Sequence, residues 1–472
     1  MNTPIYDFVK DYASKDPVRL HMPGHKGKCV NEGTTAGSWT DQVSKYDITE
    51  IDGADYLSAP CGIIAESEAN AGKLFGCNTF YSTEGSSLCI RAMLFLIKKR
   101  ANIKGNQRPM ILAGRNAHAS FVNAAALLDI SVDWIMQKET DSYESCTITG
   151  DDIEKVINGY LNSEYLIKKL PDAVYITSPD YLGNVTDIRE IAEVCHKHGI
   201  PLLVDCAHGA YLKFLDSSLY PTDLGADMCC SSAHKTLPVL TGGAYLNINK
   251  NADPFFTENA KQALSVFATT SPSYLILQSL DICNKYIYEK TEKGNNVFQK
   301  EAEKVERLKE AFIKAGYTLT GNEALKITLT VSDGDRLAKD LVTDNIFAEY
   351  HDKDHLVMMF GPETTDDDYI KIQNALEKYA SGQTEVKKEA TGLRKSGTGR
   401  IETPRRVMSM HDALFAKTEQ VEAKDSVGRT LAEPVISCPP CVPLYVYGEK
   451  IGEEILGYIS EEKNVKVVCN KK

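Results

Sequence analysis

Four short clusters in this chain hold residue types that can do chemistry. They are Thr83-Glu84-Gly85-Ser86-Ser87, Gly114-Arg115-Asn116-Ala117-His118, Asp205-Cys206-Ala207-His208 and Ser231-Ser232-Ala233-His234-Lys235-Thr236. A glycine followed by two hydroxyls at a helix start can cradle a phosphate with backbone N–H groups and side chains. The same serines also suit a plain helix cap. Asp205 ends the apolar run Leu202-Leu203-Val204. A buried acid there is costly, so it is either paired with a cation or hydrogen-bonded by nearby backbone. Lys235 sits among hydroxyls and a histidine, where a lowered pKa would let its amine form a Schiff base. His118 and His208 say little as lone residues.

Taken together, the clusters supply the parts that a pyridoxal 5'-phosphate (PLP) enzyme needs. These are a phosphate cup, an amine for the aldehyde and an acid for the pyridine nitrogen. Thirty residues separate Asp205 from Lys235.

Alternating strands and helices must position these loops. MILAG (110–114), DAVYITS (172–178), LLVD (202–205), DMCCSSAHK (227–235) and GGAYLNI (242–248) supply strand segments. IIAESEANAGKLFG (63–76), Ser86 to Arg100 and DIREIAEVCHKHG (187–199) have helical spacing. The first and last of these close on a glycine. Such alternation predicts an α/β fold with a mainly parallel sheet, whose ligands bind beyond the carboxyl ends of the strands. Residues 1–60 are polar and irregular and suggest an N-terminal arm. A large domain over 61–295, a smaller α/β domain over 296–380, a linker or loop at 381–403 and a C-terminal extension at 404–472 complete the expected layout.

Composition narrows the class. The chain has 472 residues, room for about three ordinary domains. It is 43% hydrophobic and 25% charged, the balance of a soluble globular protein. Its net charge is 53 − 65 = −12 and its pI about 5.4, which excludes a generically basic nucleic-acid coat. No apolar stretch is long enough for a membrane helix, and the N-terminus lacks the apolar core of a signal peptide. Thirteen scattered cysteines suggest reduced thiols in a cytoplasm. Cys438-Pro-Pro-Cys441 has CxxC spacing but no second pair, and a plain turn is the favoured reading. Pro23-Gly24 between His21 and His25 prevents helical i, i+4 geometry, so no metal site is expected.

Several longer segments carry a resemblance. LHMPGHKGK (20–28), DITEIDGADYLSAPCGIIAESEANAGKLFG (47–76), GRNAHAS (114–120), SPDYLGNVTDI (178–188), DCAHGAY (205–211), SSAHKTLPVLTGGAYL (231–246) and the terminal CPPCVPLYVYGEKI resemble the prokaryotic Orn/Lys/Arg decarboxylase family. The length, without a receiver-like wing domain, resembles the small arginine decarboxylases of Gram-positive bacteria. The resemblance implies the aspartate-aminotransferase-like PLP fold type I and decarboxylation of arginine, then lysine or ornithine, to CO2 and an amine of polyamine biosynthesis. It implies PLP as an internal aldimine on Lys235, with Asp205 on the pyridine nitrogen and His118 stacked on the ring. Gly85, Ser86, Ser87, Ser232 and His234 would hold the phosphate, and His208 would lie near the ring. Glu449, in the family's PGE segment, is the expected acid for the substrate's distal cation, and His25 is expected near the substrate. Partners would be the basic amino acid and at least one further copy of the chain, with no nucleic acid or membrane. Two departures stand out. Glu84 replaces the usual asparagine beside the phosphate loop, and Cys441 replaces a usual glycine, which would reshape the terminal loop. A PLP aminotransferase or lyase, or a catalytically idle protein on the same fold, are the alternatives.

Overall fold

The computed structural model describes residues 1–28, 43–138, 141–162, 169–291, 295–390, 404–436, 440–457 and 463–469. Along the chain run α1 (Pro4–Ser14), α2 (Ile63–Phe75), β1 (Asn78–Ser82), α3 (Gly85–Ile103), β2 (Met110–Gly114), α4 (Ala119–Leu127), β3 (Ser131–Ile135) and α5 (Gly150–Asn162). They are followed by β4 (Ala173–Thr177), α6 (Ile188–Lys197), β5 (Leu202–Asp205), β6 (Met228–Ser231), α7 (Ala233–Thr236), β7 (Ala244–Ile248), α8 (Pro254–Ser265) and α9 (Tyr274–Lys290). Two compact units result, Met1–Leu96 with Leu203–Asn296, and Ile97–Leu202 with Val297–Lys472.

In the first unit the strands lie in the order β1-β7-β6-β5. β5 and β6 are parallel, with Asp205 opposite Cys230. β7 is antiparallel to both of its neighbours. Every residue of β5 and β6 is buried, as expected of parallel strands covered on both faces. Helix α2 stops at Gly76, whose φ of +73° is the left-handed cap that glycine takes without a Cβ penalty.

The N-terminal arm is more ordered than its polarity suggests. Pro4, Ile5 and Val9 of α1 are buried, one apolar stripe at helical spacing. Asp281 of α9 supplies the cap that Thr3 does not. Its Oδ2 accepts from the backbone N–H of Ile5 at 2.9 Å and of Tyr6 at 3.0 Å, and its Oδ1 accepts from the Ser67 hydroxyl.

In the second unit β4, β2 and β3 lie side by side, all parallel. Its C-terminal part adds α10 (Val297–Lys314), β8 (Thr318–Thr320), β9 (Lys326–Thr330), α11 (Gly334–Thr343), β10 (Tyr350–His351), β11 (His355–Met359) and α12 (Asp366–Ala390). The four strands form an antiparallel sheet ordered β10-β11-β9-β8. Of the expected linker 381–403, the first ten residues continue α12, and 391–403 lie outside the described residues. Among the described residues, no helix is long and apolar enough to cross a membrane.

Burial pushes the Asp281 carboxyl up to about 6, against the pull of the Ser67 hydroxyl and the two backbone donors. A pKa raised above its unfolded value of about 3.9 stabilises the fold at low pH, and that stabilisation is lost as pH rises through 6. The full effect is on the order of 3 kcal/mol by neutral pH. Asp281→Asn keeps the shape but does not titrate. Thermal unfolding of the two proteins should therefore show the natural chain losing ground to the variant between about pH 4 and 6. Parallel curves would contradict this.

Candidate active site

The ends of β5 and β6 are zipped together beyond the strands themselves. Cys206 N–H donates to Cys230 O at 2.9 Å, and Ser232 N–H to Ala207 O at 3.2 Å. This continued parallel pairing carries Asp205 and His208 alongside the short helix α7 that bears Lys235. Lys235 Nζ lies 3.1 Å from His208 Nε2. His208 and Asp205 are buried. Asp205 Oδ1 accepts from the Ala207 N–H at 3.2 Å and from the Cys230 thiol at 3.5 Å. Backbone and thiol donors therefore help to meet the desolvation cost of this acid.

The phosphate loop is shaped by two glycines. Gly85 has φ +70°. Gly242 has φ +102°, and a Cβ there would sit 2.8 Å from Thr83 O. Gly85 N–H donates to Gly242 O at 2.7 Å, so Gly85 contributes conformation to the cradle while its N–H is already used. Ser86 and Ser232 meet hydroxyl to hydroxyl at 2.9 Å, joining the start of α3 to the Lys235 loop. Ser87 follows in the first turn of α3, where N–H groups lack helical acceptors.

Glu84 points its carboxylate elsewhere. Oε1 accepts from Thr269 N–H at 2.8 Å, so the departure from asparagine puts a loop tie beside the cradle. His234 differs from expectation as a phosphate ligand. Its Nδ1 donates to Gly243 O at 3.0 Å, and burial lowers its pKa. The neutral ring then offers an acceptor at Nε2, not the donor that a phosphate oxygen needs. The remaining set fits PLP: hydroxyls at a helix start, a hydrogen-bonded buried acid and a lysine amine.

In the second unit His118 follows β2 and caps α4. Its Nδ1 accepts from Ser120 N–H at 3.0 Å, with the Ser120 hydroxyl also 3.0 Å away. A backbone N–H can only donate, so the neutral ring carries its proton on Nε2. Arg115, in the same loop, is almost fully buried over the Trp134 ring. Its guanidinium donates to Pro443 O at 2.9 Å, Leu444 O at 2.8 Å and Glu449 Oε2 at 3.2 Å.

That contact corrects the expected role of Glu449. The residue is 2% exposed, and Oε2 also accepts from Val446 N–H at 2.7 Å. Burial pushes its carboxyl up, while Arg115 beside it and the Val446 N–H pull it down. Glu449 closes the terminal loop over Arg115 and does not present a carboxylate to a substrate. Gly448, at φ +78°, is required here, because a Cβ would lie 2.3 Å from Met408 O.

His25 is engaged with Asp47 Oδ2 at 3.2 Å, and its Nδ1 accepts from Gly27 N–H. His21 bonds the Tyr12 hydroxyl instead, so the two histidines have separate partners. Cys441 keeps the left-handed conformation that favours glycine, at φ +60°, and its carbonyl accepts from Ala119 N–H at 2.9 Å. Cys438 lies outside the described residues. Sequence reasoning gave no role to Arg115 or Cys230. A charged residue directly after the apolar run MILAG was the available signal for Arg115, the same signal that singled out Asp205. Cys230 gave none, since a cysteine in a buried strand is commonplace.

The profile described as Orn/Lys/Arg decarboxylase, major domain, matches residues 3–363. The chain belongs to the Orn/Lys/Arg decarboxylase family. It is an amino-acid decarboxylase. The arginine decarboxylase of Bacillus subtilis (strain 168) is 28% identical over 477 residues, covering 97% of this chain and 93% of that protein. The arginine decarboxylase of Halalkalibacterium halodurans is also 28% identical, covering 97% and 93%. Among solved structures, the lysine decarboxylase of Francisella novicida superposes with a TM-score of 0.78 at 16% identity, over 99% of this chain and 81% of that one. A serine palmitoyltransferase of Sphingomonas wittichii gives 0.54 at 14% identity, over 80% and 84%. The fold is the aspartate-aminotransferase-like α/β fold type I.

Removing one member of a buried ion pair strands the other, at roughly 3–5 kcal/mol. Glu449→Ala should therefore lower the denaturant midpoint sharply. The double replacement Arg115→Met with Glu449→Leu should cost clearly less than Glu449→Ala alone. Equal losses in the two proteins would mean that the charges are not coupled.

Proposed function

We propose that this chain decarboxylates a basic amino acid, arginine first, then lysine or ornithine, with PLP bound through Lys235. The observation that carries the reading is the zipped pair of strand ends, which brings the Lys235 amine, His208 and buried Asp205 into one loop cluster. The arginine decarboxylases that match nearly the whole chain support the substrate class.

Bound PLP supplies an electron sink for the carbanion left when CO2 departs. Asp205 keeps a positive charge on the pyridine nitrogen by pairing with it. Ser86, Ser87 and Ser232 hold the phosphate through hydroxyls and first-turn N–H groups. His118, in its Nε2–H form, would be the residue for the ring face that the resemblance implies. Lys235 would hold the cofactor through its amine.

The product is an amine of polyamine biosynthesis or its precursor. A homodimer is the expected assembly. Val18, Leu20 and Met22 alternate along the arm and are 83%, 91% and 58% exposed, while Arg19 between the first two is buried, which suits an apolar edge covered by a second copy. We assign the protein to the cytoplasm, where its scattered cysteines would stay reduced. We assign to this activity an arm at 1–60, a large domain at 61–295, a small α/β domain from 296 whose last helix α12 runs to Ala390, and a C-terminal extension at 404–472.

Purified protein reconstituted with PLP should be yellow, and Lys235→Ala should lose that absorption together with more than a hundredfold of activity. Offered arginine, lysine and ornithine in turn, it should release CO2 and the matching amine without a keto acid. Keto-acid formation from an amino donor would reject decarboxylation in favour of aminotransfer. A colourless protein that takes up no PLP would reject the cofactor.

A further inference from the structure

His208 is placed where the chemistry of Lys235 needs a proton acceptor. A lysine ammonium has no lone pair and cannot attack an aldehyde until it loses a proton. His208 Nε2 is 3.1 Å from Lys235 Nζ. In the ammonium form Lys235 can only donate, so Nε2 accepts and the ring proton of neutral His208 sits on Nδ1. The distance is set by backbone, through the Cys206–Cys230 and Ser232–Ala207 hydrogen bonds that zip the two loops. Gly209 N–H, bonded to Cys206 O at 3.0 Å, turns the chain back directly after His208. His208 is itself buried at 6% exposure. Its imidazole is therefore fixed close to the reacting nitrogen.

We propose that His208 is a catalytic proton-transfer residue for Lys235, a role that rests on PLP binding through that lysine. The Lys235 ammonium gives one proton to His208 Nε2. The freed lone pair forms the N–C bond to the cofactor's aldehyde carbon. One proton then passes from nitrogen to the former aldehyde oxygen, and His208 returns its own proton to the same oxygen. The C–O bond breaks, water leaves, and a protonated imine remains. The reverse transfer serves when the substrate amine displaces Lys235 and the lysine must leave as an amine.

The test is the rate at which protein stripped of PLP captures added PLP, followed by the growth of yellow absorption in stopped flow. His208→Ala should slow capture roughly a hundredfold, the usual scale of a general acid–base group, while the final absorption stays the same. Added imidazole should restore the rate in His208→Ala by entering the space left behind. His208→Gln, which still accepts a hydrogen bond but takes no proton at neutral pH, should stay slow. Unchanged rates in both variants would overturn the proposal. So would a glutamine variant as fast as the natural chain, because Lys235 would then need only a hydrogen-bond partner, or an alanine variant indifferent to imidazole. Failure of the natural protein to turn yellow, or a Lys235→Ala protein that still does, would instead remove the PLP reading beneath it.

Discussion

The continuation of parallel pairing past the ends of β5 and β6 is the constraint on which the proposed chemistry depends. Parallel strands leave their loops on one edge, and the residues there would diverge if the pairing stopped with the strands. Two further backbone hydrogen bonds, at 2.9 and 3.2 Å, keep the loops together for three more residues. Asp205, His208 and Lys235 are thereby positioned by main chain rather than by flexible side-chain contacts. Preorganisation of this kind is worth more in a dry site than in water, because donors and acceptors need not reorganise during reaction. The Cys230 thiol adds a small donor to the same acid without adding a charge.

Buried charge plays a different part in the second unit. Arg115–Glu449 and Lys326–Glu323 are both almost fully enclosed ion pairs, the latter at 2.7 Å. Such pairs seldom add net stability over apolar packing, since desolvation offsets the attraction. Each, however, is joined to backbone. Arg115 takes two carbonyls of the terminal segment. Beside Lys326, Asn322 and Glu323 give their N–H groups to Gly183 O, and Thr328 gives its hydroxyl to Leu182 O. An apolar replacement would preserve the burial and lose the direction. The pairs fix which loop sits against which, and in the first case that loop leads into His118.

Much of this was legible in the sequence where one residue type has one physical meaning. Strand MILAG, the capped helix at 188–197 and the buried acid at Asp205 all follow from periodicity, caps and the cost of an unpaired charge. The helix at 4–14 was hidden because its cap comes from Asp281, more than 270 residues away. The role of His234 was hidden because it turns on a tautomer, which depends on whether Gly243 O stands near Nδ1. Family likeness placed Glu449 in a conspicuous segment but said nothing about whether its carboxylate was already used. Glu84 shows the converse case. Electrostatics required the acid to turn away from a phosphate or find a donor, and Thr269 N–H is that donor.

The reassignment of Glu449 also separates two tasks that the sequence had merged. A carboxylate that recognises a cationic side chain must be desolvated on binding and matched by the incoming charge. Glu449 is already desolvated and already matched by Arg115. A substrate cation drawn beside that pair would bring a second positive charge to one negative one, with no hydration to offset the repulsion. The same carboxylate cannot hold the loop before His118 and also measure the substrate. On the proposed function, the strand-end loops hold the residues assigned to the reaction, while Glu449 is already committed to Arg115 within the terminal segment.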